Sequence, residues 1–161
     1  MFRSGQFVAD QLGQIDADGI QPNGVDLRLG SIYRQQSPGR IMTDGKRIGD
    51  RDELSAEPAS GPQDGTVYSL SPGGYLAVYA ETVSIPEGHI GFVLPRSSLM
   101  RNSCMLNTAV WDAGYTGRGE GLLEVHHDVE IEQGARIAQL VLAEADHEGL
   151  YDGSYQEERL D

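Results

Sequence analysis

From Thr66 to Ala145 the chain reads as short apolar segments cut by glycine and proline, and this punctuation constrains the fold more than any other feature. The segments are TVYSLS, GGYLAVYAETVSI, GHIGFVLP, CMLNTAVW, GEGLLEVHHDVEI and ARIAQLVLAEA. Pro72-Gly73-Gly74, Pro86-Glu87-Gly88 and Gln133-Gly134 mark turns between them. VDLRLGSIYR, from Val25 to Arg34, alternates apolar and polar residues and adds an earlier strand. Strands this short and this closely spaced predict a sandwich, jelly roll or barrel, not alternating βα units. Little helix is expected. One short helix fits Ser4 to Leu12, with Gly13 near its end, and a turn or two fits after Ser97-Ser98, with serine as N-cap. Between Gln35 and Gly65 glycine, proline, aspartate and serine abound without periodicity, so residues 35–65 are expected to form a surface loop or weak hairpin insertion.

A chain of 161 residues is expected to form one domain, 1–161, with a real core. Its single cysteine, Cys104, leaves no intrachain disulfide framework and no multi-cysteine zinc site. No apolar run reaches membrane-spanning length, and Met1 to Asp10 lacks a basic-then-apolar leader pattern, so a cytoplasmic protein is expected. The net charge of −13 comes from 25 acidic and 12 basic residues, and Lys46 is the only lysine. Such a surface repels nucleic acid and anionic membranes, and neither is expected as a partner. Acidity with lysine nearly absent fits a proteome adapted to high salt, where self-repulsion is screened. An anionic ligand must then be met by locally concentrated arginine.

Four stretches carry polar residues suited to that task. Arg96-Ser97-Ser98 combines forked guanidinium donors with hydroxyls and helix N-terminal amides, although a capped turn with a surface arginine would read the same way. In AVWDAGYTGRGE, Asp112 ends an apolar strand before a glycine turn, and Tyr115 follows at a distance that lets its ring meet a sugar or base. Turn and core roles remain open for both. Asp26 in QPNGVDLRLG either faces solvent or helps hold a hydrated cation. Gln139 in GARIAQLVLA is either a satisfied core amide or a donor to a ligand oxygen.

The order VDLR, PRSSL, WDAGYTG, GARIAQL and a Tyr/Gly/Gln tail, YDGSYQEERLD, resembles the dUTPase/dCTP deaminase superfamily. The wording is similar to the archaeal dUTPase branch, and the acidity to its haloarchaeal members. The match runs from Gln21 to the C-terminus, with no recognisable motif in residues 35–65. The resemblance implies a mainly all-β, distorted β-barrel or jelly roll of the dUTPase-like fold, assembled as a homotrimer with shared active sites. It implies hydrolysis of dUTP to dUMP and pyrophosphate, with Asp112 activating water for in-line attack on the α-phosphate. Mg²⁺ would neutralise the triphosphate, with Asp26 as an outer-shell anchor. Arg96, Ser97, Ser98 and Gln139 match phosphate-binding positions, Tyr115 the ring under deoxyribose, and Asn107, Thr108 and Val110 the uracil-facing hairpin. The tail, residues 150–161, would close over the substrate through Tyr151, Tyr155 and Gln156. Conventional dUTPases end in a longer glycine-rich arm with arginine and phenylalanine; here Arg159 is the available charge.

A second activity is compatible with the same fold. The superfamily's deaminases attack dCTP with a zinc-independent glutamate, in relatives about ten residues beyond the motif aspartate. Glu124 lies slightly further on, and a two-residue insertion in GRGEG preserves strand parity, so Glu124 is expected to face the pocket, with Glu120 a weaker candidate. Arg101 matches a deaminase arginine. A bifunctional enzyme, a dCTP deaminase and a non-catalytic nucleotide-binding regulator are the alternatives to a dUTPase. Adjacent His126 and His127 would point to opposite faces of a strand and are read as surface residues.

Overall fold

In the computed structural model, residues 1–13, 15–59 and 65–160 are described. The organising element is the long strand Gly24–Gln35, which changes partner part-way along. Its first half pairs with Arg136–Glu144 and its second half with Gly73–Tyr79, both antiparallel. Register shifts fall at both handovers, between Leu29 and Ser31 and between Arg136 and Ala138. Gly30 sits at the crossing, where an added Cβ would lie 3.2 Å from the Tyr79 backbone. The strand bends there because no side chain keeps the two ladders apart.

The main sheet runs His89–Pro95, Arg136–Glu144, Gly24–Gln35, Gly73–Tyr79, Glu120–Val125, Cys104–Asn107. Its two edge strands then approach each other. Trp111 bridges to Gly91, and Thr108 Oγ1 donates to the Val93 carbonyl at 3.1 Å. The sheet is thereby rolled into a nearly closed barrel, the mainly β architecture expected from the punctuated sequence. Side chains inside it include Val25, Leu27, Leu29, Ile32, Leu123, Leu140 and Leu142, all essentially removed from water. Each such burial contributes about 1.5–3 kcal/mol.

The helix Gly5–Gln11 plugs one side of the barrel, with Ser4 Oγ accepting from Phe7 N–H and Val8 reaching the core. A second sheet joins Val129–Glu132, Thr66–Leu70 and Glu57–Pro58. Within the 35–65 segment, Arg40–Met42 and Gly45–Arg47 form an exposed hairpin, and Arg51–Glu53 extends the far end of Gly24–Gln35. Residues 60–64, part of that expected insertion, lie outside the described residues.

Three local expectations need correction. CMLNTAVW is a strand only from Cys104 to Asn107, since the next residues cross the barrel opening before Trp111 bridges back. GEGLLEVHHDVEI is two strands in different sheets, parted by the exposed His126-His127-Asp128 turn. Finally, neither serine caps the helix Ser97–Arg101. Its N-cap is Arg96, whose N–H still extends the sheet by donating to Ile137 O at 2.9 Å, so helical geometry begins only at Ser97.

Candidate functional site: two polar groups on one barrel

The first group of polar residues stands on the outer face of three neighbouring strands. Asp26 and Gln139 are directly paired across the ladder, and Gln139 is paired with Leu94 on its other side. Paired residues share a face, so all three point outward. Arg96, two residues beyond Leu94, points to the same side, and its guanidinium reaches Asp26. Room for that crossing comes from the register shift: Ile137 and Ala138 are both buried, leaving no outward side chain between Arg136 and Gln139. The Asp26 side chain is 1% exposed, and its Oδ2 also accepts from Gln21 Nε2 at 3.0 Å. Arg136 adds a cation 3.9 Å away while holding Asp18. Ser97 and Ser98 stand exposed beside this patch in the first helical turn.

The second group surrounds a cavity of about 260 Å³ lined by Val110, Trp111, Asp112, Tyr115, Glu120, Tyr151, Tyr155 and Glu158, among others. Trp111 is fixed by reciprocal backbone bonds with Gly91, at 2.8 and 3.2 Å. Asp112 follows it in a tight turn closed by Tyr115 N–H to Asp112 O, which leaves its carboxylate exposed. Gly114 makes that turn possible, with φ +88 and no space for a Cβ, which would lie 2.9 Å from Leu150. The Tyr115 ring is 6% exposed and packed edge-on against Trp111 and Tyr151, at centroid distances of 5.0 and 5.7 Å. Its hydroxyl donates to Glu158 Oε1 at 2.9 Å. Burial first, and then the Glu158 carboxylate, push the Tyr115 phenol far above its ordinary range, so it is a neutral donor. Burial likewise raises the Glu158 carboxyl, opposed by Tyr115 and Arg159.

The chain's last residues complete this cavity. Gln156 brackets the turn by accepting from Thr116 N–H at 3.1 Å and donating to Gly114 O at 2.9 Å. Tyr151 N–H bonds Ala113 O, Glu157 N–H bonds Thr116 O, and Arg118 N–H bonds Glu158 O. Glu120 receives two arginines from distant segments, Arg51 at 2.7 and 2.9 Å and Arg159 at 2.5 Å. Lys46 of the exposed hairpin stands 4.1 Å from the Tyr155 ring centroid. Asp112 also borders a second cavity of about 390 Å³, shared with His89, Asp146 and His147.

Of the expected site residues, Asp112, Val110, Tyr115, Tyr151 and Tyr155 converge on one cavity, while Arg96, Ser97, Ser98 and Gln139 do not line it. Thr108 is occupied in closing the barrel, and Gln156 in fastening the tail. Arg101 is exposed at the end of its helix. Glu124 does not reach the Asp112 cavity. Parity along the strand was read correctly, since Glu120, Leu122 and Glu124 share the outer face, but four residues of strand separate Glu120 from Glu124 by about 13 Å. Glu120 therefore takes the cavity position, and Glu124 accepts from Asn107 Nδ2 at 2.7 Å. Asp26 is corrected as well: a carboxylate sealed beneath arginine has no face to offer a hydrated cation. The residues missed from sequence are Trp111, Glu158, Arg51 and Lys46. Trp111 lay within a noticed motif, whereas Arg51 and Lys46 sit in the segment without periodicity.

A nearly closed antiparallel barrel carrying an arginine-anchored patch and an aromatic, acid-rimmed cavity describes a class of small-molecule site protein. The model of the dCTP deaminase-like family matches residues 2–145, and the chain belongs to that family. It is 60% identical over 161 residues to the Halobacterium salinarum protein named "Probable deoxyuridine 5'-triphosphate nucleotidohydrolase", covering all of this chain and 97% of the relative. The Aeropyrum pernix protein of the same name is 45% identical over 145 residues, 88% of this chain and 87% of that one. Among solved structures, 2'-deoxycytidine 5'-triphosphate deaminase from Agrobacterium tumefaciens superposes with a TM-score of 0.66 at 20% identity. That likeness concerns the fold; it covers 89% of this chain, which spans about half, 48%, of the longer protein. The superfamily expected from the order of motifs is thus the one found.

Proposed function

We propose that the protein is a dUTP diphosphatase, hydrolysing dUTP to dUMP and pyrophosphate in the cytoplasm and so keeping uracil out of DNA. The observation that carries this reading is the exposed Asp112 carboxylate at the mouth of the Tyr115 cavity, in a chain matched from end to end by the Halobacterium salinarum relative named for that reaction. Asp112 orients a water and takes its proton as the water oxygen bonds to the α-phosphorus; the bond from that phosphorus to the bridging oxygen breaks, and pyrophosphate leaves. Phosphoryl transfer of this kind needs positioning and charge neutralisation more than covalent help. Tyr115, held edge-on by Trp111 and Tyr151, lines the cavity and is the ring against which the deoxyribose would pack.

Arg96, Ser97, Ser98 and Gln139 meet the phosphates, and they do so from a neighbouring copy of the chain in a homotrimer. Support comes from their absence from the Asp112 cavity and from an exposed apolar side chain at each group, Leu94 beside Gln139 at 55% and Val110 on the cavity at 54% exposure. Magnesium bound to the triphosphate would neutralise charge. Asp26 does not fit as its anchor, and among the described residues no group of three or more His, Cys, Asp or Glu gathers to hold a metal. The tail, through Tyr151, Tyr155 and Gln156, closes the cavity over the nucleoside. Among the described residues no helix is long and apolar enough to cross a membrane.

Purified protein incubated with Mg²⁺ and either dUTP or dCTP tests the assignment by product analysis. Pyrophosphate and dUMP from dUTP, with dCTP untouched, are expected. Binding of dUTP without turnover would instead mark a nucleotide-sensing protein. A second reading, deamination of dCTP, is favoured by one contact: Glu124 accepts from Asn107, a residue that the family resemblance sets in the uracil-facing hairpin. Appearance of dUTP or dUMP from dCTP, lost in Glu124→Gln, would establish it.

A further inference from the structure

The Asp26–Arg96 pair has a role separate from metal binding. Asp26 is on the outer side of the sheet, yet its carboxylate is sealed by Gln21, Arg96 and Arg136. Burying a carboxylate is unfavourable unless a cation and hydrogen bonds meet it, so the arrangement persists because Arg96 stays there. The benefit also runs the other way. Arg96 sits at the junction of a strand and a five-residue helix, its backbone held by Ile137, but its side chain is long and 36% exposed. In an unanchored state that side chain would sample many rotamers. The guanidinium uses one nitrogen, Nη1, on Asp26, and among the described residues makes no other side-chain hydrogen bond. Its remaining donors are not among the buried unpartnered atoms, so they stay open to solvent, and Ser97 and Ser98, the next two residues, are exposed.

We infer that Asp26 is a positioning residue: it fixes the Arg96 guanidinium so that its free edge is presented to the phosphate chain of the nucleotide, and it does not hold the metal. Gln21 acts one step further back, aiming the Asp26 carboxylate. The inference rests on Arg96 being a phosphate ligand, as proposed above. It also explains how an acidic chain recruits an anion: one buried carboxylate is shared by two arginines, Arg96 and Arg136, so it does not cancel the charge of Arg96 in full.

Because a metal-anchoring role and a positioning role differ when no metal is present, the test is binding of dUTP in EDTA, where no turnover occurs, followed by calorimetry. Asp26→Asn is expected to weaken metal-free dUTP binding about tenfold, the size of one charge-assisted hydrogen bond. Arg96→Gln should weaken it at least as much. The double variant should equal Arg96→Gln alone, since two residues acting through one contact are not additive. In Mg²⁺, Asp26→Asn should raise KM for dUTP and leave the magnesium concentration for half-maximal rate unchanged. Unaltered metal-free binding, additive losses in the double variant, or a shifted magnesium requirement would each overturn the inference. Should Asp26→Asn fail to fold, Arg96→Lys keeps a cation over Asp26 but removes the fork; it is expected to melt like the native protein and bind metal-free dUTP about tenfold less tightly. Native affinity in that variant would overturn the inference too. A native protein that binds dUTP in EDTA with these losses, yet hydrolyses nothing in Mg²⁺, would remove the proposed activity while leaving the Asp26–Arg96 relation standing.

Discussion

Around Arg96 the polar side chains stand on adjacent strands of one ladder, whereas around Asp112 they come from a turn, a strand end and the last residues of the chain. The first region is ordered by the barrel itself. Its cation is held by a buried carboxylate, and its shape does not depend on the tail. The second region has one rigid wall, Trp111 and Tyr115, and one removable wall, Tyr151 to Arg159. The contrast suits a site that must grip phosphate with fixed geometry but admit and release a nucleoside, because segments with few buried contacts open at low free-energy cost.

The strongest way to break the comparison is to remove the chemistry from the Asp112 side alone. Asp112→Asn is expected to lower kcat by about a thousandfold, within the range of a lost general base, while dUTP binding measured by calorimetry changes little. Near-native turnover would take Asp112 out of its role. Next comes the rigid wall: Trp111→Ala should destabilise the protein by about 3–5 kcal/mol in a denaturant melt, because a buried indole is lost from the place where the barrel closes. The removable wall should respond differently. Arg159→Gln loses the tail's ion pairs with Glu120 and Glu158, so KM for dUTP should rise roughly threefold to tenfold and chymotrypsin should cut the tail faster, with the melting temperature nearly unchanged.

The smallest expected effect is on pH. Burial raises the carboxyl of Glu158 in the docked tail relative to the free tail. A raised carboxyl favours docking below its unfolded pKa, and that contribution is lost as pH rises through the folded value. Amide exchange in residues 151–160 should therefore slow modestly, once intrinsic rates are corrected, as pH falls from neutrality into the carboxylate range. Glu158→Gln should abolish that dependence.

Much of the barrel was legible because short apolar segments stand between glycine and proline turns, alternating in Val25 to Arg34 and largely apolar in Arg136 to Glu144. The two-strand split at His126-His127-Asp128 was not, since GEGLLEVHHDVEI keeps its alternation across the turn. Asp112 and Tyr115 were visible through their glycine turn. The state of Asp26 was not visible, because its burial depends on Arg96, 70 residues away, and on a register shift that no local pattern encodes. Glu124 and Glu120 share parity, so only the position of the strand relative to the cavity distinguishes them. Arg51 and Lys46 gave no signal, as their partners, Glu120 on a barrel strand and Tyr155 in the tail, are brought to them only by the tertiary fold.

If the two regions are halves of one active site, they should complement each other between chains. Asp112→Asn chains, which lack the base, and Arg96→Gln chains, which bind dUTP at least about tenfold more weakly, can be co-expressed with different tags, and assemblies carrying both tags isolated and assayed at dUTP well below KM. A cyclic trimer mixing the two always contains one site with both native residues, so about a third of native dUTP turnover is expected. Turnover no higher than that of either variant alone would contradict the shared site and place both halves within a single chain.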